Sequence, residues 1–290
     1  MNCPELKGDR WNVTEEEYRA YPALNFHTLA NFRRDPRLWR EGFFDDIEEN
    51  DAMRFGTAMH ARLLEGLDAY KKKIAVFYAP RNPNTSERFG ATTKAFKEEK
   101  AAFLAANVGK TVIDEDDERT IERLLDAFRF HPVAPALLGR KHKTTELAIK
   151  CKVTVCDCDK HLKGRIDCYS DAGLVDIKTT QQLLDASGRD RFRYAVYDYG
   201  YILQLAFYNV LLNSATNVVG FVPWWLIALE KSEPYRVGVY RIAQNVQESA
   251  VRVVWNWLAA FVKAETAGIY ESRCDAVQLI DQYNPEKDLL

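Results

Sequence analysis

The sequence predicts an α/β fold in which a sheet carries the chemistry and helices cover it. Three observations predict this. Residues 146–155, Glu-Leu-Ala-Ile-Lys-Cys-Lys-Val-Thr-Val, alternate with the period of two expected of a half-buried strand. Residues 163–180 read as two more strands joined by the tight turn Asp171-Ala172-Gly173, which extends the same antiparallel meander. On either side of these strands, apolar residues in 114–130 and 246–267 recur at helical spacing.

Taken in order, residues up to about Pro22 read as an irregular arm, followed by helices near 27–34 and 36–39. These carry Arg33, Arg34, Arg37 and Arg40, which form either a phosphate-binding patch or a solvated helical face. A helix over 54–66 has small residues on one side, ends at Gly66, and places His60 one turn beyond Gly56 on the same face. His60 reads either as a ligand or as an ordinary helical histidine. Residues 78–89 are a loop by their proline, asparagine and serine content, and helices follow over 92–106 and 114–130. The second opens on an acidic turn that suits the helix dipole, and its Ile121, Leu124, Leu125 and Phe128 face a core. His131-Pro132 breaks it, and 134–138 is a short continuation.

Beyond the meander, 189–194 is a basic and aromatic loop containing Arg191, Arg193 and Tyr194, a composition able to follow a nucleic-acid backbone and stack a base. The helix expected over 199–213 sets Tyr201, Gln204, Leu205 and Tyr208 on one face, whose polar members imply a polar neighbour. Strands over 218–229 and 235–242 join near Lys231-Ser232-Glu233-Pro234, and an amphipathic helix over 246–267 carries Trp255, Trp257 and Phe261 as core or subunit interface. No repeat or linker divides the chain, so one domain over 1–290 is expected, with about the first 70 residues supplying helices to the site.

Composition narrows the partners. The chain has 40 Lys and Arg against 42 Asp and Glu, so a net charge of −2 gives no global attraction to nucleic acid, and DNA contact would need a local basic groove. The longest apolar runs, such as 220–229, are too short to cross a bilayer, and Met1-Asn2-Cys3-Pro4-Glu5 lacks the regions of a signal peptide. A soluble cytoplasmic protein without membrane contact is expected. Of six cysteines, Cys156 and Cys158 are spaced C-x-C without a second pair to complete a zinc knuckle, so that segment reads as a hairpin turn without zinc.

The chemistry concentrates on the meander. In a strand Asp176 and Lys178 point one way, and Val175 and Ile177 point the other, into a core. With Asp167 opposite, two carboxylates and an ammonium converge, as a divalent-metal site for phosphate chemistry requires. The alternative is a solvated face with cross-strand ion pairs. Glu146 is a third carboxylate, either a ligand or an edge-strand residue facing solvent.

The segments G-T-A-M-H (56–60), Glu146, G-R-I-D (164–167), V-D-I-K-T (175–179) and Y-I-L-Q-L-A-F-Y (201–208) occur in an order that resembles the PD-(D/E)xK nuclease superfamily. Within it the chain resembles the RecB-like branch, with its G-x-x-x-H, D, D-x-K and Q-x-x-x-Y motifs. It is most similar to the exodeoxyribonuclease VIII (RecE-type) nucleases of phages and prophages, also through 25–39, 109–113, 131–134, Glu230-Lys231 and Pro234-Tyr235. The resemblance implies a restriction-endonuclease-like core with a mixed central sheet. It implies His60, Asp167, Asp176 and the Ile177 carbonyl as metal ligands, Lys178 as the catalytic lysine, and Gln204 with Tyr208 lining the site or touching the DNA backbone. Glu146 falls at a position whose role varies among relatives. Arg33, Arg34, Arg165, Arg191, Arg193 and Tyr201 are the candidates for DNA contact.

The resemblance further implies Mg²⁺, with Mn²⁺ as the alternative, and a bacterial or phage-encoded exonuclease. Such an enzyme digests linear duplex ends 5′ to 3′, leaving 3′ overhangs for a single-strand annealing partner, and assembles as a homo-oligomeric ring. Two departures stand out. Cys274 alone lies near the C-terminus, so no iron–sulfur cluster is expected, and Leu174-Val175 replaces the proline before Asp176. An endonuclease using the same residues and a non-catalytic DNA-binding protein are the rival readings.

Overall fold

A computed structural model describes residues 11–275 apart from 12, 46–48, 141, 185–186 and 217–219. Cys3, the first residues of the strand expected over 218–229, and the end of the tail lie outside the described residues.

The first half is helical: α1 (Glu15–Ala20), α2 (Phe26–Arg34), α3 (Pro36–Arg40), α4 (Asp51–His60), a π-helical turn (Ala61–Glu65) and α5 (Leu67–Lys73). Then come β1 (Ile74–Phe77), α6 (Lys94–Ala106), β2 (Thr111–Asp114), α7 (Glu115–Phe130) and α8 (Ala134–Leu138). The boundaries follow local chemistry. The side chains of Asn25, Asp35, Asn50, Thr93 and Asp114 each accept a backbone N–H in the first turn of the helix that follows. Strands β1 and β2 pair in parallel as a separate two-stranded sheet. At four residues each they are too short for alternation to announce them.

The expected irregular arm contains α1, closed by a capping box in which Thr14 and Glu17 each accept the other's backbone N–H. The arm is fastened from below. Buried Lys163 donates to the carbonyls of Tyr18, Arg19 and Tyr21 at 2.8, 3.0 and 2.7 Å, placing an ammonium where the helix leaves its last carbonyls unsatisfied.

The main sheet has five strands: β3 (Thr144–Val155), β4 (Cys158–Ser170), β5 (Gly173–Thr180), β6 (Trp224–Glu230) and β7 (Val237–Arg241), side by side in that order. All neighbours are antiparallel except β5 and β6, so the sheet is mixed, as expected. The parallel step is bridged by α9 (Arg191–Asp198) and α10 (Tyr201–Ala215), and α11 (Gln244–Ala267) follows β7. The 189–194 segment, expected as a loop, is thus helical from Arg191 onward. Asp190 caps it by accepting the Arg193 N–H, a signal hidden by the basic and aromatic composition.

Both faces of the sheet are buried. Trp224, Leu226 and Ala228 of β6 face a core shared with α2, α9, α10 and α11, while Ile227 and Leu229 face a second core with α4, α7 and α8. Strand β5 divides in the same way, with Leu174 on the first face and Val175 and Ile177 on the second. Helix α10 is buried almost all round, as a helix packed between a sheet and another helix must be. Among the described residues, no helix is long and apolar enough to cross a membrane.

Candidate active site

Alternation along β5 puts Asp176 and Lys178 on the face covered by α10, so both charges are directed inward. Asp176 is only 1% exposed. Lys178 Nζ lies 2.7 Å from Asp176 Oδ2, close enough for an ion pair but not aligned as a hydrogen bond, and Oδ1 is buried without a partner. Such an orphan oxygen is costly unless something cationic or donating occupies the space before it.

Asp167 stands where the β-structure is distorted. On β4, Leu162 and Ile166 face the α10 side, yet Cys168 faces the opposite core and Tyr169 the α10 side, so the alternation slips at Asp167. Across the ladder, between the pairs Thr145–Cys168 and Leu147–Ile166, Glu146 has φ of 49°. A left-handed non-glycine residue inside a strand is strained, and here the strain turns a carboxylate toward Asp167. The β4–β5 pairing ends at Cys168–Val175, and Asp167 Oδ2 accepts the Ile177 N–H at 2.7 Å.

His60 arrives from the other side, on the last turn of α4. Its Nε2 lies 3.0 Å from the Ile177 carbonyl and its Nδ1 lies 3.7 Å from Asp167 Oδ1. Facing a carbonyl, Nε2 must donate. That leaves Nδ1 turned toward the Asp167 carboxylate, in the direction from which a shared cation could be held by both. One ligand atom from each of His60, Glu146 and Asp167 lies within 4.8 Å of the others.

Electrostatics agree with the geometry. Burial, reinforced by the Asp167 charge, pushes the Glu146 carboxyl up to about 7. Burial also raises Asp176 to about 6, with Lys178 opposing and Asp167 adding to the rise. Burial works against the Lys178 ammonium, but Asp176 and Asp167 outweigh it and hold its pKa above the ordinary value. The lysine is therefore a fixed cation beside an excess of carboxylates. These donors fit a hard divalent ion, since carboxylates and one imidazole converge next to an unpartnered carboxylate oxygen.

Helix α10 brings Gln204 and Tyr208 to the same place. Gln204 Nε2 donates to the Tyr208 hydroxyl at 2.9 Å, and burial, with Asp176 and Asp167 nearby, raises the phenol well above its usual pKa. Tyr208 thus stays protonated and keeps a donor. Gly164 permits this approach, because a Cβ there would lie 2.4 Å from Leu211 Cδ1 and 3.3 Å from Tyr208 Cε1. Tyr201 lies under Lys178, whose ammonium is 5.0 Å from the ring centroid.

The arginines spread more widely. The Arg165 guanidinium stacks on Tyr18 at 4.5 Å, Arg34 lies over Phe44 at 5.5 Å, and Arg33 is in the last turn of α2. Arg191 and Arg193 are exposed on α9, with Arg193 Nε 4.0 Å from Asp190. Three contacts were not visible in sequence: those of Tyr18, of the fastening Lys163, and of buried Glu230, which the sequence marks only as part of the resemblance. Glu230 accepts from Leu183 N at 3.1 Å and from Arg236 Nε and Nη2 at 2.5 and 2.8 Å, tying the segment after β5 to the sheet. Tyr18 and Lys163 act through partners more than 140 residues away and Glu230 reaches Leu183 across 47, so no local pattern marks these contacts.

A crystal structure described as that of a candidate exonuclease from Eubacterium rectale matches with a TM-score of 0.60 over 96% of this chain and 97% of that chain, at 14% identity. That likeness shows a shared fold. A second structure, of SSO0001, matches 81% of this chain and 84% of that chain at 15% identity, with a TM-score of 0.28, too low to inform the fold. No curated protein matches the chain. The model of a family described as a PDDEXK-like domain of unknown function matches residues 26–283. With the acidic cluster on a mixed sheet in the expected order, the chain belongs to this PDDEXK-like family, DUF3799, and so to the PD-(D/E)xK nuclease superfamily.

Proposed function

We propose that this protein is a divalent-metal-dependent deoxyribonuclease that degrades linear duplex DNA from its ends. The observation that carries the reading is the convergence of His60, Glu146 and Asp167 beside buried Asp176 and its partly buried partner Lys178. Three carboxylates against one lysine leave negative charge that a bound cation offsets. His60, Asp167, Asp176 and the Ile177 carbonyl are the proposed ligands, with Glu146 joining them once its proton is lost. A divalent cation there supplies Lewis-acid polarisation of a phosphoryl oxygen and acidifies water, chemistry that both Mg²⁺ and Mn²⁺ perform.

The remaining work falls to the chain. Lys178, kept protonated by Asp176 and Asp167, donates to the nucleophile or to the phosphate and balances charge as it develops. Tyr208, oriented by Gln204, presents its proton to the same pocket. Arg165 and the arginines of α2 and α9 supply phosphate contacts around the site, which a chain of net charge −2 needs locally. The resemblance to RecE-type nucleases supports 5′-to-3′ digestion, a ring of subunits around the DNA and a 3′ overhang passed to an annealing partner.

End-labelled linear duplex and covalently closed circular duplex, each incubated with Mg²⁺ and with EDTA, test the reading. Mg²⁺-dependent release of mononucleotides from the 5′ label, with the circle left intact, is expected. Cleavage of the circle would make the protein an endonuclease. No cleavage by folded protein with Mg²⁺ or Mn²⁺ would make it a DNA-binding protein on a nuclease scaffold.

A further inference from the structure

From Lys178 a run of aromatic rings leads outward to solvent. The ammonium lies 5.0 Å from the Tyr201 ring centroid. Tyr201 in turn contacts Phe192 at 6.0 Å and 31°, and stacks with Tyr199 at 5.7 Å and 25°. The inner end is anchored, since Phe192 is buried and rests on Tyr240 at 5.0 Å. The outer end is open: Tyr199 is 69% exposed. On α9, just before it, Tyr194 and Tyr197 are 59% and 72% exposed and lie one turn apart, on a side of the helix different from that of Tyr199. Exposed Arg191 and Arg193 share this helix.

Single exposed aromatics are ordinary, but Tyr199 is stacked on Tyr201 toward the partly buried Lys178, with two more exposed rings and two arginines on the helix before it. A protein partner would cover such rings with apolar side chains, and nothing apolar and exposed accompanies them on α9. Nucleobases fit better. A ring that already stacks on one side offers its other face to another flat π-system, and the exposed Arg191 and Arg193 at the start of the same helix suit the phosphates of the strand that carries the base. A base within a duplex has both faces covered by its neighbours. Only the last pair of a duplex bares one face, so a base that reaches Tyr199 from further along the strand must be unpaired.

We propose that Tyr199, the exposed end of the stack that runs from Lys178 through Tyr201, is a stacking platform for an unpaired base of the DNA strand that enters the site. This deepens the nuclease reading and rests on it for the identity of the ligand. The platform would let the protein act on an end whose last pairs have opened, so that the phosphate reaches Lys178 while its base is held aside.

The test uses the full chain in EDTA, so that binding is read without hydrolysis. A duplex with a short unpaired tail carries 2-aminopurine in the tail, and both fluorescence quenching and Kd are measured. Wild-type protein should quench the probe. Tyr199→Ala should remove most of the quenching and weaken binding about 5- to 100-fold, while Tyr199→Trp should retain both. The proposal is overturned if Tyr199→Ala, folded by circular dichroism, quenches and binds as wild type does. The two readings fail separately. Wild-type protein that binds and quenches but cleaves nothing with Mg²⁺ or Mn²⁺ supports the platform and removes the nuclease, whereas an active nuclease indifferent to these substitutions removes only the platform.

Discussion

Glu146 shows at the residue scale how strain and charge combine. Its left-handed backbone turns the carboxylate toward Asp167 and into partial burial, and both effects favour the protonated form. Its folded pKa of about 7 lies above the ordinary 4.5. Below 4.5 both folded and unfolded chains hold the proton and no penalty exists. Between these values only the folded chain holds it, so stability falls as pH rises and the full penalty is reached above about 7. Allowing for the part of the side chain that meets solvent, the penalty is about 1–2 kcal/mol. In metal-free protein, Glu146→Gln should therefore match wild type near pH 4.5 and melt a few degrees higher at pH 8. Thermal unfolding of both proteins in EDTA at the two pH values checks this, and equal melting temperatures at pH 8 would show that the carboxylate is not under this stress.

At the scale of elements, the site depends on how closely α10 approaches β4. Gly164 leaves the space that Leu211 and Tyr208 fill, and Leu211 is fully buried with nowhere to withdraw. Gly164→Ala should cost about 1–3 kcal/mol and lower activity further by shifting Tyr208. Denaturant unfolding and turnover measured on one preparation separate the two effects, and a variant of wild-type stability would show that α10 is not seated by this contact. The same scale decides what could be read in advance. The meander, α7, α8 and α11 were legible because alternation or helical spacing ran over enough residues, and because Asp171-Ala172-Gly173 and His131-Pro132 punctuate the chain. The motif residues on the meander and α10 were legible as an ordered set. Short β1 and β2, the capped α1 and the arginine-rich start of α9 were not, since their signals are a few residues long or lie in a capping side chain. Strain at Glu146, the Lys163 fastening and the Glu230 tie depend on contacts across the fold and leave no trace in spacing.

For the whole molecule, the sheet divides the labour. One face buries α4 against Val175 and Ile177 and so delivers His60, while the other receives α10 with Gln204 and Tyr208, and the candidate ligands meet where β4 and β5 separate. The first half of the chain is thus part of the site, although the charged meander lies in the second. This meeting point is proposed to be a metal-dependent catalytic site. The most direct measurement is Mg²⁺-dependent hydrolysis of labelled linear duplex by wild type, Asp176→Ala and Lys178→Ala, each shown to be folded by circular dichroism. Wild type should cleave only with the metal, and each variant should lose at least about 10²–10³-fold in rate. Cleavage by purified Asp176→Ala at the wild-type rate would show that the catalytic metal site lies elsewhere.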